Sequence, residues 1–226
     1  YGLVGSEMCI RDRYKKALDT DLARPKFAIM NPEITYTLPD YQTQCGCADI
    51  MMHTMERYFV LEDTMEITDK IAQDVMKNVM KYAKILKKDP ENYEARAEIM
   101  WCGSLSHNGL TGCGTCGGDW ATHLMEHELG GMFDVAHGAG LAAVWGSWAR
   151  YVMDEKPERF AQFAVDVMGV EESDDVKSTA LKGIEAVEEF YRMIEMPTNM
   201  KELGINPTDE QIKDMAMKAT NHDTQQ

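Results

Sequence analysis

The sequence has no excess of positive charge and no long apolar run, and both absences limit what the protein can bind. Its 226 residues carry 23 Lys and Arg against 38 Asp and Glu, which gives a formal net charge of −15. An acidic surface repels nucleic acid and anionic membranes, so we expect neither as a partner. A membrane-spanning helix needs about 20 consecutive apolar residues, and no stretch of the chain approaches that length.

The sequence also lacks a secretory signal and a regular cysteine framework. No basic start followed by an apolar segment is visible, as a signal peptide would require. The six cysteines follow no even spacing, which is unlike the disulfide frameworks of small secreted domains. These absences predict a cytoplasmic protein with reduced thiols.

The first 13 residues differ in character from the rest of the chain. The stretch LVGSEMCIRDR, Leu3 to Arg13, resembles the translation of a sequencing adapter and shows neither a hydrophobic period nor a capping residue. We therefore expect residues 1–13 to be a non-native scar and the chain to be a fragment whose natural start lies upstream.

Residues 14–40 predict the end of a missing N-terminal domain, and residues 41–226 predict an all-α domain with one core. The apolar, β-branched segment at Lys26–Met30 predicts one strand followed by an extended linker. A lone strand is not stable in water, so its sheet is expected to lie upstream. The helical domain is expected to be truncated at its C-terminus.

The predicted helices follow from apolar spacing and from capping residues. Thr68, Asn92, Ser173 and Thr208 are predicted caps, and Pro157 is predicted to open a helix. The predicted segments are 43–59, 68–87, 92–108, a helix opened by residue 119 or 120, 140–153, and helices that begin near 157, 173 and 208.

Two residue pairs with helical spacing are the strongest chemical signal. Asp49 and His53 are four residues apart, and so are His123 and His127. Residues at i and i+4 share a helix face, so each pair can direct two ligands to one point. His137 follows in DVAHGAG. Taken alone, Asp49 and His53 could equally form a surface charge pair. His123 and His127 alone could equally have a structural role.

The pattern becomes more specific when the residues are combined. Asp49, His53, His123 and His137 together supply one carboxylate and three imidazoles, a donor set that suits Fe(II) or Zn(II) and suits Ca or Mg poorly. A zinc protease is excluded, because its HExxH motif requires a second histidine where this sequence has Gly131.

Several segments resemble a known enzyme family. PKFAIMNPEITYTLP, DIMMHTMERY and GDWATHLMEHELGGMFDVAHGAGLAAVWGSWARYV are similar to the C-terminal domain of iron-containing (group III) alcohol dehydrogenases. The likeness is to their NAD(P)H-dependent butanol dehydrogenase branch, which has the dehydroquinate synthase-like fold. The resemblance implies that Asp49, His53, His123 and His137 hold Fe(II) or Zn(II).

The resemblance also implies a reaction and a role for the remaining histidine of the cluster. His127 would be catalytic, as a proton relay, and cofactor-binding, because it would lie near the nicotinamide. The implied reaction interconverts a primary alcohol and an aldehyde of the butanol and butanal type with NAD or NADP, in a homodimer when the protein is full-length. The family's glycine-rich phosphate loop is missing, since TGCGTCGGD follows a predicted helix rather than a strand. The fragment is therefore expected to be inactive alone.

Other interpretations stay open at the level of sequence. The fold could serve a polyol dehydrogenase or another dehydroquinate synthase-like metalloenzyme, or the chain could be a non-catalytic metal-binding helical module. Trp120, Met125, Phe133 and Trp145 could exclude water from a site, although core packing is the more ordinary role for each.

Two further motifs are given ordinary roles. The CxxC motif formed by Cys113 and Cys116 is expected to be an inert loop, because it lacks a second pair with suitable geometry. His107 and Asn108 are expected to cap and pack at a helix end.

Overall fold

The structure of the protein, a computed structural model, describes residues 7–11, 14–18, 25–62 and 65–220, with side chains described from residue 25 onward. The prediction of an all-α domain is confirmed, because every α-helix and most of the described chain fall between residues 40 and 220. The described helices are α1 Asp40–Tyr58, α2 Glu66–Leu86, α3 Tyr93–His107, α4 Ala121–Phe133, α5 His137–Val152, α6 Pro157–Asp166, α7 Val176–Met193 and α8 Asp209–Thr220.

The predicted strand at Lys26–Met30 is wrong. This segment is irregular, and its side chains are exposed, with Phe27 and Ile29 at 79% and 83%. A strand needs a partner for its backbone groups, and no described strand pairs with this segment. The strands that are described are β1 Glu7–Arg11 and β2 Tyr14–Leu18, which form an antiparallel pair. The sequence did not predict this pair, and the non-native origin of residues 1–13 stays a prediction.

Two of the four predicted helix caps are confirmed. The Asn92 side chain accepts a hydrogen bond from the Ala95 N–H at 3.0 Å and caps α3. Thr208 and Gln211 cap the start of α8 reciprocally, because the side chain of each accepts from the backbone N–H of the other, at 3.3 and 2.8 Å. Pro157 opens α6 as predicted.

The other two caps are wrong, because the helices begin elsewhere. Thr68 lies inside the first turn of α2 and donates its hydroxyl to the Cys113 carbonyl at 2.9 Å. The cap of α7 is Asp175 rather than Ser173. The helix predicted from Gly140 begins at His137, so this histidine is the first residue of α5.

Helix α1 lies at the centre of the domain. It packs against α2, α3 and α5, while α4 packs on α5 and α6 packs on α7. Met51, Met52 and Met55 of α1 are fully buried, and 12 of its 19 residues are buried in all. The functional side chains of α1 are therefore carried by a helix that is enclosed by its neighbours. No helix in the described ranges is long and apolar enough to span a bilayer.

Candidate metal centre

One oxygen atom of Asp49 is the point where three histidines meet. The distances from Asp49 Oδ1 to Nε2 of His53, His123 and His137 are 3.6, 3.5 and 3.4 Å. Asp49 and His53 are one turn apart on α1, His123 lies in the first turn of α4, and His137 opens α5. The structure thus brings the four predicted ligands together from three helices.

The spacing and the unpaired atoms fit a divalent ion. In a tetrahedral site with bonds of about 2.1 Å, neighbouring ligand atoms are about 3.4 Å apart, which matches the three distances from Asp49 Oδ1. Ligand-type atoms of Asp49, His53 and His123 all lie within 4.8 Å of one another, whereas His137 meets that limit with Glu126 and His127. Asp49 Oδ1 and His123 Nε2 are buried and have no hydrogen-bond partner. Buried polar atoms of this kind are costly unless something pairs with them. A cation between them would pair with both atoms.

Two buried glutamates orient two of the histidines. Glu56 Oε2 contacts Nδ1 of His123, and Glu126 Oε2 contacts Nδ1 of His137. Both glutamates are fully buried side chains. A carboxylate that accepts the Nδ1 proton fixes the tautomer in which Nε2 carries the lone pair, which is the form that binds metal. Both imidazoles therefore present Nε2 toward Asp49.

The sequence interpretation missed these glutamates, although a signal was present. Glu56 follows Asp49 by seven residues and His53 by three, and Glu126 follows His123 by three. These spacings place each glutamate on the same helix face as a predicted ligand. Helical spacing could therefore have identified them as supporting carboxylates.

The ionisable groups of the cluster have strongly shifted pKa values. Burial raises the pKa of Asp49, but its close contacts with the imidazoles of His107, His123 and His137 outweigh burial and hold it well below its ordinary value. Burial lowers the pKa of His53 to about 2, against the opposing attraction of Asp49. Burial also lowers the pKa of His123, but its contacts with Asp49 and Glu56 outweigh this and raise it to about 9. The centre combines an ionised carboxylate with a neutral His53 imidazole.

His127 lies beside the centre rather than in it. Its ring centroid is 6.2 Å from that of His123 and 5.7 Å from that of His137. One ligand-type atom each of His127, Glu126 and His137 lie within 4.8 Å of one another. The half-buried position leaves this imidazole close to the cluster and accessible to solvent.

His107 is an additional histidine at the centre that the sequence did not assign to it. Its Nε2 is 3.4 Å from Asp49 Oδ2, and its ring centroid is 3.8 Å from that of His53. His107 is the last residue of α3. The expected packing role is confirmed by the ring contact with His53, but the contact with Asp49 goes beyond it.

Of the four large apolar side chains, Trp120 lies at the cluster. Its ring centroid is 5.4 Å from that of His53 and 5.5 Å from that of His123, and the Arg57 guanidinium lies 4.7 Å above it. Trp145 is 1% exposed in the core, and Met125 and Phe133 pack against buried clusters. Core packing is therefore confirmed for these three.

The cysteines form no metal cluster in the described part of the chain. Cys113 and Cys116 are exposed free thiols, and Cys45 and Cys47 are buried on α1. The described groups that could hold an ion contain no cysteine. The interpretation of the CxxC segment as an inert loop agrees with this arrangement.

An all-α domain that buries a carboxylate among three imidazoles is a candidate metalloprotein domain, and comparison with known proteins identifies its family. The family model described as "Fe-containing alcohol dehydrogenase family, C-terminal" matches residues 43–226. The chain belongs to this family.

Similar curated proteins and a similar solved structure agree with the family. NADH-dependent butanol dehydrogenase A of Clostridium acetobutylicum is 36% identical over 192 residues, which are 84% of this chain and 49% of that protein. The NADPH-dependent aldehyde reductase YqhD of Escherichia coli is 33% identical over 193 residues, 85% of this chain and 49% of that protein. The crystal structure of NADH-dependent butanol dehydrogenase A from Thermotoga maritima superposes with a TM-score of 0.88 at 33% identity, covering 95% of this chain and 53% of that chain. The chain thus spans about half the length of these relatives.

Proposed function

We propose that the chain is the metal-binding half of an NAD(P)H-dependent dehydrogenase that interconverts a primary alcohol and an aldehyde. The observation that carries this proposal is the position of Asp49 Oδ1, which lies 3.4 to 3.6 Å from Nε2 of three histidines. The names of two relatives, a butanol dehydrogenase and an aldehyde reductase, support the substrate class.

Asp49, His53, His123 and His137 would hold the ion. We take Fe(II) as the ion because the family description names iron, and the same donor set also accommodates Zn(II). When bound, the metal supplies Lewis-acid polarisation of the substrate oxygen. Metal binding would displace the proton that a raised pKa keeps on His123, and one carboxylate with three neutral imidazoles would then leave a divalent ion with net positive charge.

The surrounding residues would orient and shield the reacting groups. Glu56 and Glu126 hold the His123 and His137 rings with Nε2 toward Asp49. The Trp120 ring covers one side of the cluster beside His53 and His123, and an apolar ring there limits the access of water. These residues position the centre without reacting themselves.

His127 is proposed as the proton-transferring residue beside the nicotinamide. Its half-buried ring lies next to His137 and remains within reach of solvent. An imidazole has an ordinary pKa near neutrality, about 6.5, and so can transfer a proton between a substrate oxygen and water. The nicotinamide, from NADH or NADPH, carries the hydride. Assembly as a homodimer and a cytoplasmic location stay predictions from the family resemblance.

To test the proposal, the chain is fused to the nucleotide-binding half of a butanol dehydrogenase relative. The metal content and the turnover of the fusion protein are then measured. The His123→Ala, His137→Ala double variant is compared with His222→Ala, a change at a histidine that is not one of the four candidate ligands. We expect about one iron per chain in the wild type and the control, with butanal-dependent oxidation of NADH or NADPH. We expect neither in the double variant.

Other outcomes identify the competing functions. Equal metal in the double variant and the wild type would contradict the ligand assignment. Turnover of polyols but not of butanal would favour a polyol dehydrogenase. A third outcome is that the double variant loses the metal but the wild type turns over no alcohol or aldehyde. This outcome would indicate a non-catalytic metal-binding module.

A further inference from the structure

His107 contacts the oxygen atom of Asp49 that the other histidines leave unused. The three ligand histidines surround Asp49 Oδ1, whereas His107 Nε2 lies 3.4 Å from Asp49 Oδ2. His107 approaches from α3, a helix that supplies none of the proposed ligands. The two oxygens of one carboxylate are thus engaged by different groups.

The neighbours of the His107 ring determine how it faces Asp49. Its Nδ1 lies 2.7 Å from the Ser106 hydroxyl and 2.9 Å from the Gly103 carbonyl. The Ser106 hydroxyl also lies 3.0 Å from the Gly103 carbonyl, so its single proton can go to either acceptor; when it is donated to Nδ1, the ring proton is on Nε2 and points toward Oδ2. The other neutral tautomer would set the Nε2 lone pair against an ionised carboxylate at 3.4 Å, which is repulsive. The Nε2–H form is the one that suits this contact.

We propose that His107 is a positioning residue of the metal centre: its Nε2–H donates to Asp49 Oδ2 and thereby keeps Oδ1 at the point where His53, His123 and His137 meet. This inference rests on the proposed function, because it assigns a supporting role at the same metal site. It adds a residue that lies outside the four-ligand set.

A carboxylate ligand needs such an anchor. The terminal torsion of an aspartate side chain is broad and two-fold, so a carboxylate held at neither oxygen can rotate or bind an ion through both oxygens. Carboxylates that bind metals are themselves hydrogen-bonded, and loss of such a partner typically weakens metal binding about 10–100-fold. His107 also packs against the ring of His53 at 3.8 Å, so it restrains two ligands of α1 together.

The geometry favours an anchor over an additional ligand. His107 Nε2 lies against Asp49 Oδ2, whereas Oδ1, the buried oxygen without a hydrogen-bond partner, is the atom that the three candidate ligand histidines surround. The His107 side chain is 43% exposed, in contrast to His123, which is buried. A direct bond from His107 to the ion is therefore treated as an outcome that the experiment must detect.

The experiment uses the 226-residue chain, with Co(II) as the probe, and compares glutamine with asparagine at position 107. A glutamine side chain places its amide nitrogen near the position of the imidazole Nε2, whereas asparagine reaches only as far as Nδ1. Both replacements are polar at an exposed site, so both are expected to fold, which circular dichroism checks. Asn108→Ala is the matched control, because it removes a side-chain hydrogen bond just beyond the same helix end, where the Asn108 side chain accepts from the Leu110 N–H at 2.9 Å.

We expect His107→Asn to weaken Co(II) binding about 10–100-fold in chelator competition, while His107→Gln and Asn108→Ala stay within about threefold of the wild type. We also expect the visible absorption of bound Co(II) to weaken in His107→Asn, because a free carboxylate raises the coordination number. A merely structural role would change stability without changing that spectrum. In an Asp49→Ala background, the difference between Gln and Asn at position 107 should vanish.

Three results would overturn the inference. The first is equal Co(II) affinity and spectra in the Gln, Asn and wild-type proteins. The second is the loss of one metal-shifted imidazole N–H resonance in His107→Gln, which would make His107 a ligand. The third is a wild type that binds Co(II) no better than His123→Ala, which would overturn the proposed metal centre as well. In the first two cases the metal centre itself would stand.

Discussion

Glu56 holds His123 at two points at once. Its Oε1 accepts a hydrogen bond from the His123 backbone N–H at 3.1 Å, and its Oε2 contacts Nδ1 of the same residue. One side chain on α1 therefore fixes both the start of α4 and the orientation of the imidazole that α4 presents. The position of the His123 ring therefore depends on α1 as well as on its own helix.

Replacement of Glu56 by glutamine tests this dependence. An amide at position 56 can no longer offer two acceptor oxygens, so either the His123 backbone or its ring loses a partner. We expect metal affinity to fall about 10–100-fold, measured by chelator competition with Zn(II). Glu128→Gln is the control, because Glu128 is a buried glutamate of the same helix as His123. An equal effect at both positions would contradict a specific role for Glu56.

The close approach of α1 and α5 gives a second prediction. A Cβ atom added at Gly138 would lie 2.0 Å from the Cys45 carbonyl oxygen, a backbone atom that cannot move alone. Gly138→Ala should therefore separate the helices, displace the neighbouring His137, and destabilise the domain by about 1–3 kcal/mol, the usual cost of overpacking. Chemical denaturation and metal titration measure both effects.

Gly46 provides the matched control for this change. It lies on α1 beside Cys45, and an added Cβ there would meet nothing within 4 Å. Gly46→Ala should keep metal binding and stabilise the helix by up to about 1 kcal/mol. Loss of metal binding in Gly46→Ala, or retention of it in Gly138→Ala, would count against the proposed contact.

A third prediction concerns a buried ion pair that includes none of the candidate ligands. Both guanidinium nitrogens of Arg159 donate to the carboxylate oxygens of Asp69 at 2.6 Å, and both residues are buried. Asp69→Ala would leave the Arg159 charge buried without its partner, which typically costs about 3–5 kcal/mol. Urea denaturation should show this loss, and a second change, Arg159→Met, should restore much of it. If the double variant were less stable than Asp69→Ala, the unpaired Arg159 charge would not be the cause of the lost stability.

The thiols give a fourth prediction, because burial separates them into two classes. Burial raises the pKa of Cys47 to about 12 and that of Cys102 to about 11, while Cys113 and Cys116 are exposed. At pH 8 the buried thiols carry almost no thiolate, the reactive form. Iodoacetamide should modify Cys113 and Cys116 first, and Cys47 and Cys102 only after denaturation, as site-resolved mass spectrometry would record. Early modification of Cys47 would contradict the packing of α1.

The sequence could predict the ligands because helical spacing is a local property. Asp49 and His53 occupy one face of α1 in any helix that contains both. Their meeting with His123 and His137 could be inferred from the family resemblance, but no local rule states that α4 and α5 bring their first turns to the same point. That arrangement depends on how the helices pack.

The supporting carboxylates were missed for a related physical reason. Glu56 stands beside Arg57 in the sequence and resembles any solvated charge of a helix. It is nevertheless 0% exposed, because His123 arrives from another helix to pair with it. A buried charge is expensive without a partner, and the partner is 67 residues away.

Errors at helix ends have a comparable origin. Thr68 and Ser173 are good capping residues by type, but the helices begin at Glu66 and Val176. The Thr68 hydroxyl instead donates to the Cys113 carbonyl, a tertiary contact that competes with capping. The segment Lys26–Met30 has strand-forming residues, yet no described strand lies beside it to pair with. Propensity therefore fails where a distant partner decides the structure.

The distribution of the candidate ligands along the chain has a consequence for the lifetime of the protein. They extend from residue 49 to residue 137 and come from three separate helices, so an ion bound there would join α1, α4 and α5 as a crosslink does. Such an ion binds only the folded chain, and its stabilising effect grows with the free metal concentration. Metal supply would then set how long the protein survives heat or proteases, independently of whether it is turning over substrate.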